Sequence, residues 1–204
     1  MTAFWAVPRM WDGETVVIVA SGESLTLRDI RHIAMAKLQG RCRVVAVNDT
    51  IYPCWFADLH YACDPKWWRW HAQTALKSPA MRVTVAVNLP AEWDVLCLKE
   101  TGKTGFDPDP KYLRTGGNGA YQAIHLTTHA GAKTILLLGV DMQGEHWFGG
   151  HPDNVRPDYG SVMLPWFATL IEPLRERGVE VINCSPNSAV ECFPKARLEE
   201  VLPA

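Results

Sequence analysis

The stretch TVVIVASGES, residues 15–24, decides the fold. TVVIVA (15–20) is an unbroken apolar, β-branched run, the pattern of a strand buried on both faces. Ser21 to Ser24 make a short polar exit. LTLRDIRHIAMAKL (25–38) follows, with Leu27, Ile30, Ala34 and Leu38 along one face, which predicts a helix. A buried strand, a tight turn and a helix open an α/β unit.

The same grammar repeats downstream. RVVAVN (43–48), DLHYACD (58–64) and MRVTVAVN (81–88) predict strands, DVLCLK (94–99) a further one, and PKWWRWHAQTALK (65–77) a helix that starts on a proline. Residues 99–117 are rich in Gly, Pro and Asp and read as a long surface loop. GNGAYQAIHLTTHAGA (117–132) predicts a helix apolar nearly all round, hence a buried one. TILLLGV (134–140) is the clearest central strand, 161–178 a helix kinked by its prolines and stopped by Gly178, and VEVINCS (179–185) the last strand. Buried strands alternating with helices predict an α/β, Rossmann-like single domain over 1–204, with a mostly parallel sheet and helices on both faces.

Six of the runs exit into polar or small residues: SGES, Asn48-Asp49, Asp64-Pro65, Asn88, Asp141 and NCSPNS. In a parallel sheet those ends share one edge, and open α/β sheets bind ligands in the crevice outside it. Two exits suit an anion. In Ser21-Gly22-Glu23-Ser24, Gly22 permits close backbone approach and Ser24 is placed to cap the helix, while an inward Glu23 would oppose the charge. Thr115-Gly116-Gly117-Asn118-Gly119 opens the buried helix without an acid. Neither fits GxGxxG or the P-loop pattern, and a glycine-rich helix entry is commonly only a turn; the pair together favours a nucleotide.

The net charge of −2, with both signs interspersed, argues against a dedicated nucleic-acid surface. No apolar run reaches the length of a membrane span, and MTAFWAVPRMWDGE lacks signal-peptide order. The six cysteines contain no CxxC pair and read as reduced, mostly buried thiols, so a cytoplasmic setting is expected.

The segments SGESL, VND, TGGNGAYQAIHLTTHAGAKTILLLGVD, HWFGGHPDNV and INCSPNSAVECF, in this order, resemble the bacterial lipooligosaccharide sialyltransferases of glycosyltransferase family 42. More distantly they resemble the domain shared with archaeal 6-hydroxymethylpterin pyrophosphokinases. The resemblance covers residues 16–193, and small proteins of this kind also occur among phage and prophage genes. It implies a Rossmann-like sheet binding a cytidine nucleotide sugar, CMP-type, without a catalytic metal. Carried over by motif, Gly22 and Ser24 lie near the phosphate, and Asn48 and Asp64 touch ribose or phosphate. Gly116 and Gly117, with Asn118 beside them, offer amides to phosphate or base. Asp141 sits by the ribose or the transferred group, and Asn187 and Ser188 occupy the family's proline-asparagine-serine turn. His151 matches the general base, with one extra glycine before it. The chain departs from the family where tyrosines assist phosphate departure: Gln143 and Trp147 stand there, and the acceptor lid is shorter.

EHWFGGHPDN (145–154) admits three readings. A zinc site is disfavoured, because His146 and His151 lie five apart across two glycines with only Asp153 to help. A plain loop pinned by Trp147 and Phe148 is the bland reading. The sharp one is a lid over 143–160, hinged at Gly149 and Gly150, with His151 (or His146) removing a proton from an acceptor hydroxyl. Trp67, Trp68 and Trp70 read as packing or a partner surface, with stacking on a base or sugar less favoured. Asp107, Asp109 and Lys111 read as solvated. His125 and His129, four apart on the buried helix, read as a packed face and not as metal ligands. Arg175, Glu176 and Arg177 read as a charged helix end.

Three functions follow. The leading expectation is a nucleotide-sugar-dependent transferase with a small-molecule nucleotide as partner. A pyrophosphokinase-like enzyme would need Mg²⁺, held by Asp141 and Asp64. A non-catalytic nucleotide-binding or phage interaction module is the third. Donor, acceptor and any homo-oligomer are left open by the sequence.

Overall fold

The computed structural model describes residues 3–147 and 159–203. Among these residues, nine strands and six α-helices run in the order β1 (Thr15–Val19), α1 (Leu27–Leu38), β2 (Arg43–Val47), β3 (Leu59–Tyr61), α2 (Pro65–Ala75), β4 (Met81–Thr84), β5 (Leu96–Cys97), β6 (Lys99–Glu100), β7 (Tyr112–Leu113), α3 (Gly119–His129), β8 (Thr134–Leu138), α4 (Leu164–Phe167), α5 (Ile171–Glu176), β9 (Glu180–Asn183) and α6 (Leu198–Val201). Seven strands form one sheet in the order β5-β4-β3-β2-β1-β8-β9. Every pairing in it is parallel, with Val17 beside Val44 on one side and Leu136 on the other. The expected Rossmann-like α/β architecture is present.

The apolar runs divide by parity, as a strand's two-residue period requires. Val16 and Ile18 of β1, Val45 of β2 and Ile135 and Leu137 of β8 meet α3 through Tyr121, Ala123 and Ile124, and meet α4 and α5 through Phe167 and Leu174. Val17 and Val19, Val44 and Ala46, and Leu136 and Leu138 meet α1 through Ile30 and Ile33, and α2 through Trp67 and Trp68. Helices therefore cover both faces, which is why the central strands carry no polar alternation. Helix α3 is buried along its length from Ala120 to His129, as its all-round apolar pattern predicts.

Three local expectations need correction. The run 94–99 is not one strand: Leu96–Cys97 joins the main sheet, whereas Lys99–Glu100 pairs with Tyr112–Leu113 in a separate parallel ribbon, so 99–117 is partly ordered by strand pairing. The helix over 161–178 changes pitch repeatedly, from a π turn at Tyr159–Met163 through α4 and a 3₁₀ turn at Ala168–Leu170 into α5. Pro165 and Pro173 have no N–H for an i→i−4 bond, so the regular ladder is interrupted at each. Helix α1 starts at Leu27, capped by Thr26 in a reciprocal box with Asp29, so Ser24 is not its cap.

All six cysteines are free thiols, four of them buried. Among the described residues no helix is long and apolar enough to cross a membrane. Most of the supposed lid, including Phe148, Gly149, Gly150, His151 and Asp153, lies outside the described residues.

Candidate functional site

Strands β1 and β8 are adjacent, yet the chain leaves them in opposite directions across the sheet. From β1 it passes through α1 to β2 on one side; β8 is entered from α3, which packs on the other face. This reversal opens a crevice beyond the carboxyl ends of the two strands, where doubly wound sheets bind their ligands. The crevice is a cleft of about 480 Å³, open mouth included. Its walls are Ala20 to Gly22 after β1, Val47 and Asn48 after β2, Asn118 to Ala120 at the start of α3, Gly139 to Gln143 after β8, and Glu145 and His146.

The floor is made by pairing beyond the strands. The amide of Ala20 donates to the Leu138 carbonyl at 2.8 Å and that of Gly22 to Gly139 at 2.7 Å. The approach is close enough to demand two glycines. A Cβ on Gly22 would lie 2.5 Å from Asp141 Oδ2, and Gly139, at φ +63°, would press one onto the Ala20 carbonyl oxygen. Asp141 is 5% exposed, and its carboxylate is occupied: Oδ2 accepts from the Ser24 amide at 2.8 Å, and Oδ1 from the Ser24 hydroxyl. Ser24 is thus a clasp joining the two strand exits. Its contact with Asp141 replaces the helix-capping role that the sequence suggested.

The proline-asparagine-serine turn braces the same exit from behind. Ser188 donates to the Val140 carbonyl at 2.6 Å and accepts from the Val190 amide at 3.0 Å. Ser185, which the sequence reading passed over, accepts from the Val140 amide at 3.0 Å. Asn187 is exposed, and its carbonyl accepts from the Gln143 side chain. Asn187 and Ser188 line a second, polar cleft of about 1190 Å³, open mouth included, together with Glu23, Asp141, Gln143, Glu191 and Lys195. Asp141 and Gln143 form the partition between the two clefts.

Asn48 differs from its neighbours. It holds φ at +54°, in the left-handed region that asparagine enters more readily than most non-glycine residues. Its side-chain Oδ1 is buried without a hydrogen-bond partner among the described residues. Few buried polar atoms are left so, because the missing bond costs about 1–3 kcal/mol. The next residue, Asp49, turns away from the cleft and accepts from the indole of Trp67 at 2.9 Å. Trp67 and Trp68 are buried core residues; only Trp70 of the three is substantially exposed.

Helix α3 points its amino end at the cleft. Asn118 caps it, its Oδ1 accepting from the amides of Ala120 (2.8 Å) and Tyr121 (3.4 Å), while Nδ2 contacts Met142 Sδ at 3.2 Å. The amide of Gly119, first in the helix, has no carbonyl within the helix to bond. The Gly116 amide donates to the Lys103 carbonyl at 2.8 Å. Gly116, at φ +53°, makes room for the Tyr121 ring, and Gly117 lies against Trp166. Neither glycine is in the cleft wall. Asp64 is also absent from it; its side chain caps α2, accepting from the Lys66 amide at 2.7 Å. The structure therefore brings together Gly22, Asn48, Asn118 and Asp141, sets Ser24, Asn187 and Ser188 just behind them, and leaves Asp64, Gly116 and Gly117 outside.

His146 closes one side. It pairs with Gly22 in an isolated antiparallel bridge, the Trp147 amide donates to the Ser21 carbonyl at 3.0 Å, and the Glu145 amide to Glu23 Oε1 at 3.2 Å. Glu23 thereby faces the 144–145 turn. The sequence signal for His146 is its position five residues past Asp141, at the mouth of a central strand.

His125 and His129 serve packing. His125 stacks on Phe106 with 4.0 Å between ring centres, accepts from the Arg114 amide and donates to the Asp107 carbonyl. Burial drives it down to about 3, so it stays neutral. Asp107 is not solvated: it accepts from Thr101 at 2.7 Å and faces Arg114. Among the described residues no three His, Cys, Asp or Glu gather as metal ligands. Asp141 and Asp64, the pair that Mg²⁺ would need, are engaged in separate places and do not fit a shared cation.

No protein-family model matches the chain, and no curated protein matches it. In fold the chain is similar to a solved structure of the MAf glycosyltransferase from Magnetospirillum magneticum AMB-1. The TM-score is 0.64 at 15% sequence identity, over 95% of this chain. The chain spans 35% of that protein's length, and at this identity the likeness is one of fold.

Proposed function

We propose that the chain is a nucleotide-sugar-dependent transferase of the glycosyltransferase kind, with the nucleotide, CMP-type by preference, seated in the switch-point cleft. One observation carries the reading: at the position where such folds take their ligand, Asn48 presents a buried amide oxygen that lacks a donor among the described residues. An unmet acceptor that persists in a cleft points to a ligand that satisfies it. The missing partner is an O–H or N–H, as on a ribose or a base; phosphate at neutral pH offers neither.

The phosphate would then approach the Gly119 amide, where the amino end of α3 favours negative charge. Displacement is direct, with His146 or His151 taking the acceptor proton, and no bound metal is required. Asp141 keeps the floor in register and is not the base, since Ser24 holds both of its oxygens. The fold likeness to a glycosyltransferase supports this reading, as does the order of motifs.

The test is thermal unfolding with CMP, UMP, AMP and GMP, because a ligand bound to the folded state alone raises the melting temperature. CMP should raise it most, and Asn48→Ala should shrink the rise. No rise with any nucleotide would remove the proposal. Release of CMP from a CMP-sugar, with and without chelator, then distinguishes the alternatives. AMP release from ATP that is lost in chelator, with no cleavage of the CMP-sugar, indicates the pyrophosphokinase-like reading. Binding without turnover on a broad donor panel indicates a nucleotide-sensing module. Where turnover occurs, His146→Ala and His151→Ala identify the base, by loss of turnover with CMP affinity retained.

A further inference from the structure

A second unsatisfied atom lies on a residue that contacts the Asn48 main chain. His60, the middle residue of β3, is fully buried, and its Nδ1 has no hydrogen-bond partner among the described residues. Its Nε2 is 3.2 Å from the main-chain carbonyl of Asn48. A carbonyl only accepts, so the ring carries its proton on Nε2, and the bare acceptor is Nδ1. The imidazole is fixed by the edge of Trp67, with 4.9 Å between ring centres, and by Trp68 at 5.3 Å. Its register partner on β2 is the small Ala46, two residues before Asn48, which leaves room for the ring to reach along the sheet.

A leucine or phenylalanine would fill this space without an orphaned nitrogen. The histidine keeps that cost, and in return it makes one bond, to the residue whose conformation the cleft depends on. The geometry points to His60 as a positioning residue for the ligand site: its Nε2–H holds the Asn48 carbonyl, fixing the left-handed turn that presents the Asn48 amide to the cleft. Burial supports this assignment by keeping the ring neutral, pushing its pKa down to about 3. The sequence places His60 in a strand, twelve residues from Asn48, with no local pattern that sets it apart.

The inference rests on the transferase reading only for its affinity arm. Isothermal titration with CMP should show His60→Leu binding about tenfold weaker, the worth of roughly one well-placed hydrogen bond. Its melting temperature should not fall in parallel, because the orphan atom is removed as well. His60→Gln, whose terminal amide reaches the place of Nε2, should bind within about twofold of the unaltered chain. In an Asn48→Gly background, where the left-handed turn needs no support, His60→Leu should leave the remaining CMP affinity unchanged. Undiminished CMP affinity in His60→Leu, or additive losses in the double variant, would overturn the assignment.

Two nitrogen and backbone NMR measurements hold without any nucleotide. The unaltered chain at pH 7 should show His60 as the neutral Nε2–H tautomer, and His60→Leu should move the Asn48 backbone out of positive φ. The Nδ1–H tautomer, or an unmoved Asn48, would sink the inference. Should the unaltered chain bind no nucleotide, the transferase reading falls while these two measurements still decide the role of His60. Should His60→Leu not fold, the tautomer and the His60→Gln affinity decide it.

Discussion

At the scale of single residues, the cleft floor is an arrangement of close backbone contacts that tolerates no added carbon. Gly139→Ala forces both a left-handed alanine and an overlap with the rigid Ala20 carbonyl. Such a substitution should cost about 2 kcal/mol or more, measured by urea denaturation. A cost under about 0.5 kcal/mol, the range of neutral surface changes, would mean that the two strand exits are not in contact. Ser24→Ala takes one donor from a carboxylate that is almost wholly enclosed, so a loss of about 1–3 kcal/mol is expected by the same measurement. Asp141→Asn is a useful companion. If the pair is a clasp, the double variant should lose clearly less than the sum of the two single losses. Gly22, Ser24 and Asp141 are all conspicuous in the sequence, but as a phosphate loop and a ligand to ribose. Their mutual contact spans 117 residues of chain, and no local pattern encodes it.

At the scale of elements, strand and helix identity was legible wherever burial imposed one period. The β1, β2 and β8 runs and the all-round burial of α3 follow directly from apolar spacing. Reading failed where an element's shape depends on partners or on missing donors. The 94–99 run divides between two sheets because Cys97 pairs with Thr84 while Lys99 pairs with Tyr112. The caps tell a similar story. Thr26 with Asp29 is a capping box that the sequence contains, two residues beyond the Ser24 chosen for that role. Asn118 caps α3 and forms part of the cleft wall, so Asn118→Ala should cost about 1 kcal/mol of stability. It should also free the Ala120 and Tyr121 amides toward the cleft. Circular dichroism melting with and without CMP separates the two effects: a lower melting point, with the CMP-induced rise at least as large as before. A smaller rise would show that the asparagine side chain itself, rather than the helix amides, contacts the ligand.

At the scale of the whole molecule, buried titratable groups set the pH range of stability. His60 and His125 are held neutral, each with its pKa lowered from 6.5 to about 3 by burial. The unfolded chain therefore binds more protons than the folded one below about pH 6.5. The stabilising contribution of each neutral ring is complete above that pH and falls as pH drops toward 3, by up to about 1.4 kcal/mol per pH unit. At the other end, burial raises the Cys54 and Cys184 thiols from 9.0 to about 12. Their contribution is complete below pH 9 and is lost as pH rises through 12. Urea midpoints across pH 4–10 should form a plateau between about 6.5 and 9, with an acid limb that flattens in His125→Gln. An acid limb unchanged by that substitution would assign the loss to carboxylates instead.

The sequence by itself determined that this chain alternates buried strands with helices, and that the strand exits are polar. Both follow from periodicity and turn chemistry, which act over a few residues. Only the tertiary structure decided which exits meet. The reversal of strand order at β1 and β8 brings Gly22, Asn48, Asn118 and Asp141 to one cleft, and it leaves Asp64, Gly116 and Gly117 to local caps and turns. It also set His60 beneath Asn48. Strand order and register are settled by the packing of helices on both faces of the sheet, a property of the assembled core that no short stretch of chain carries.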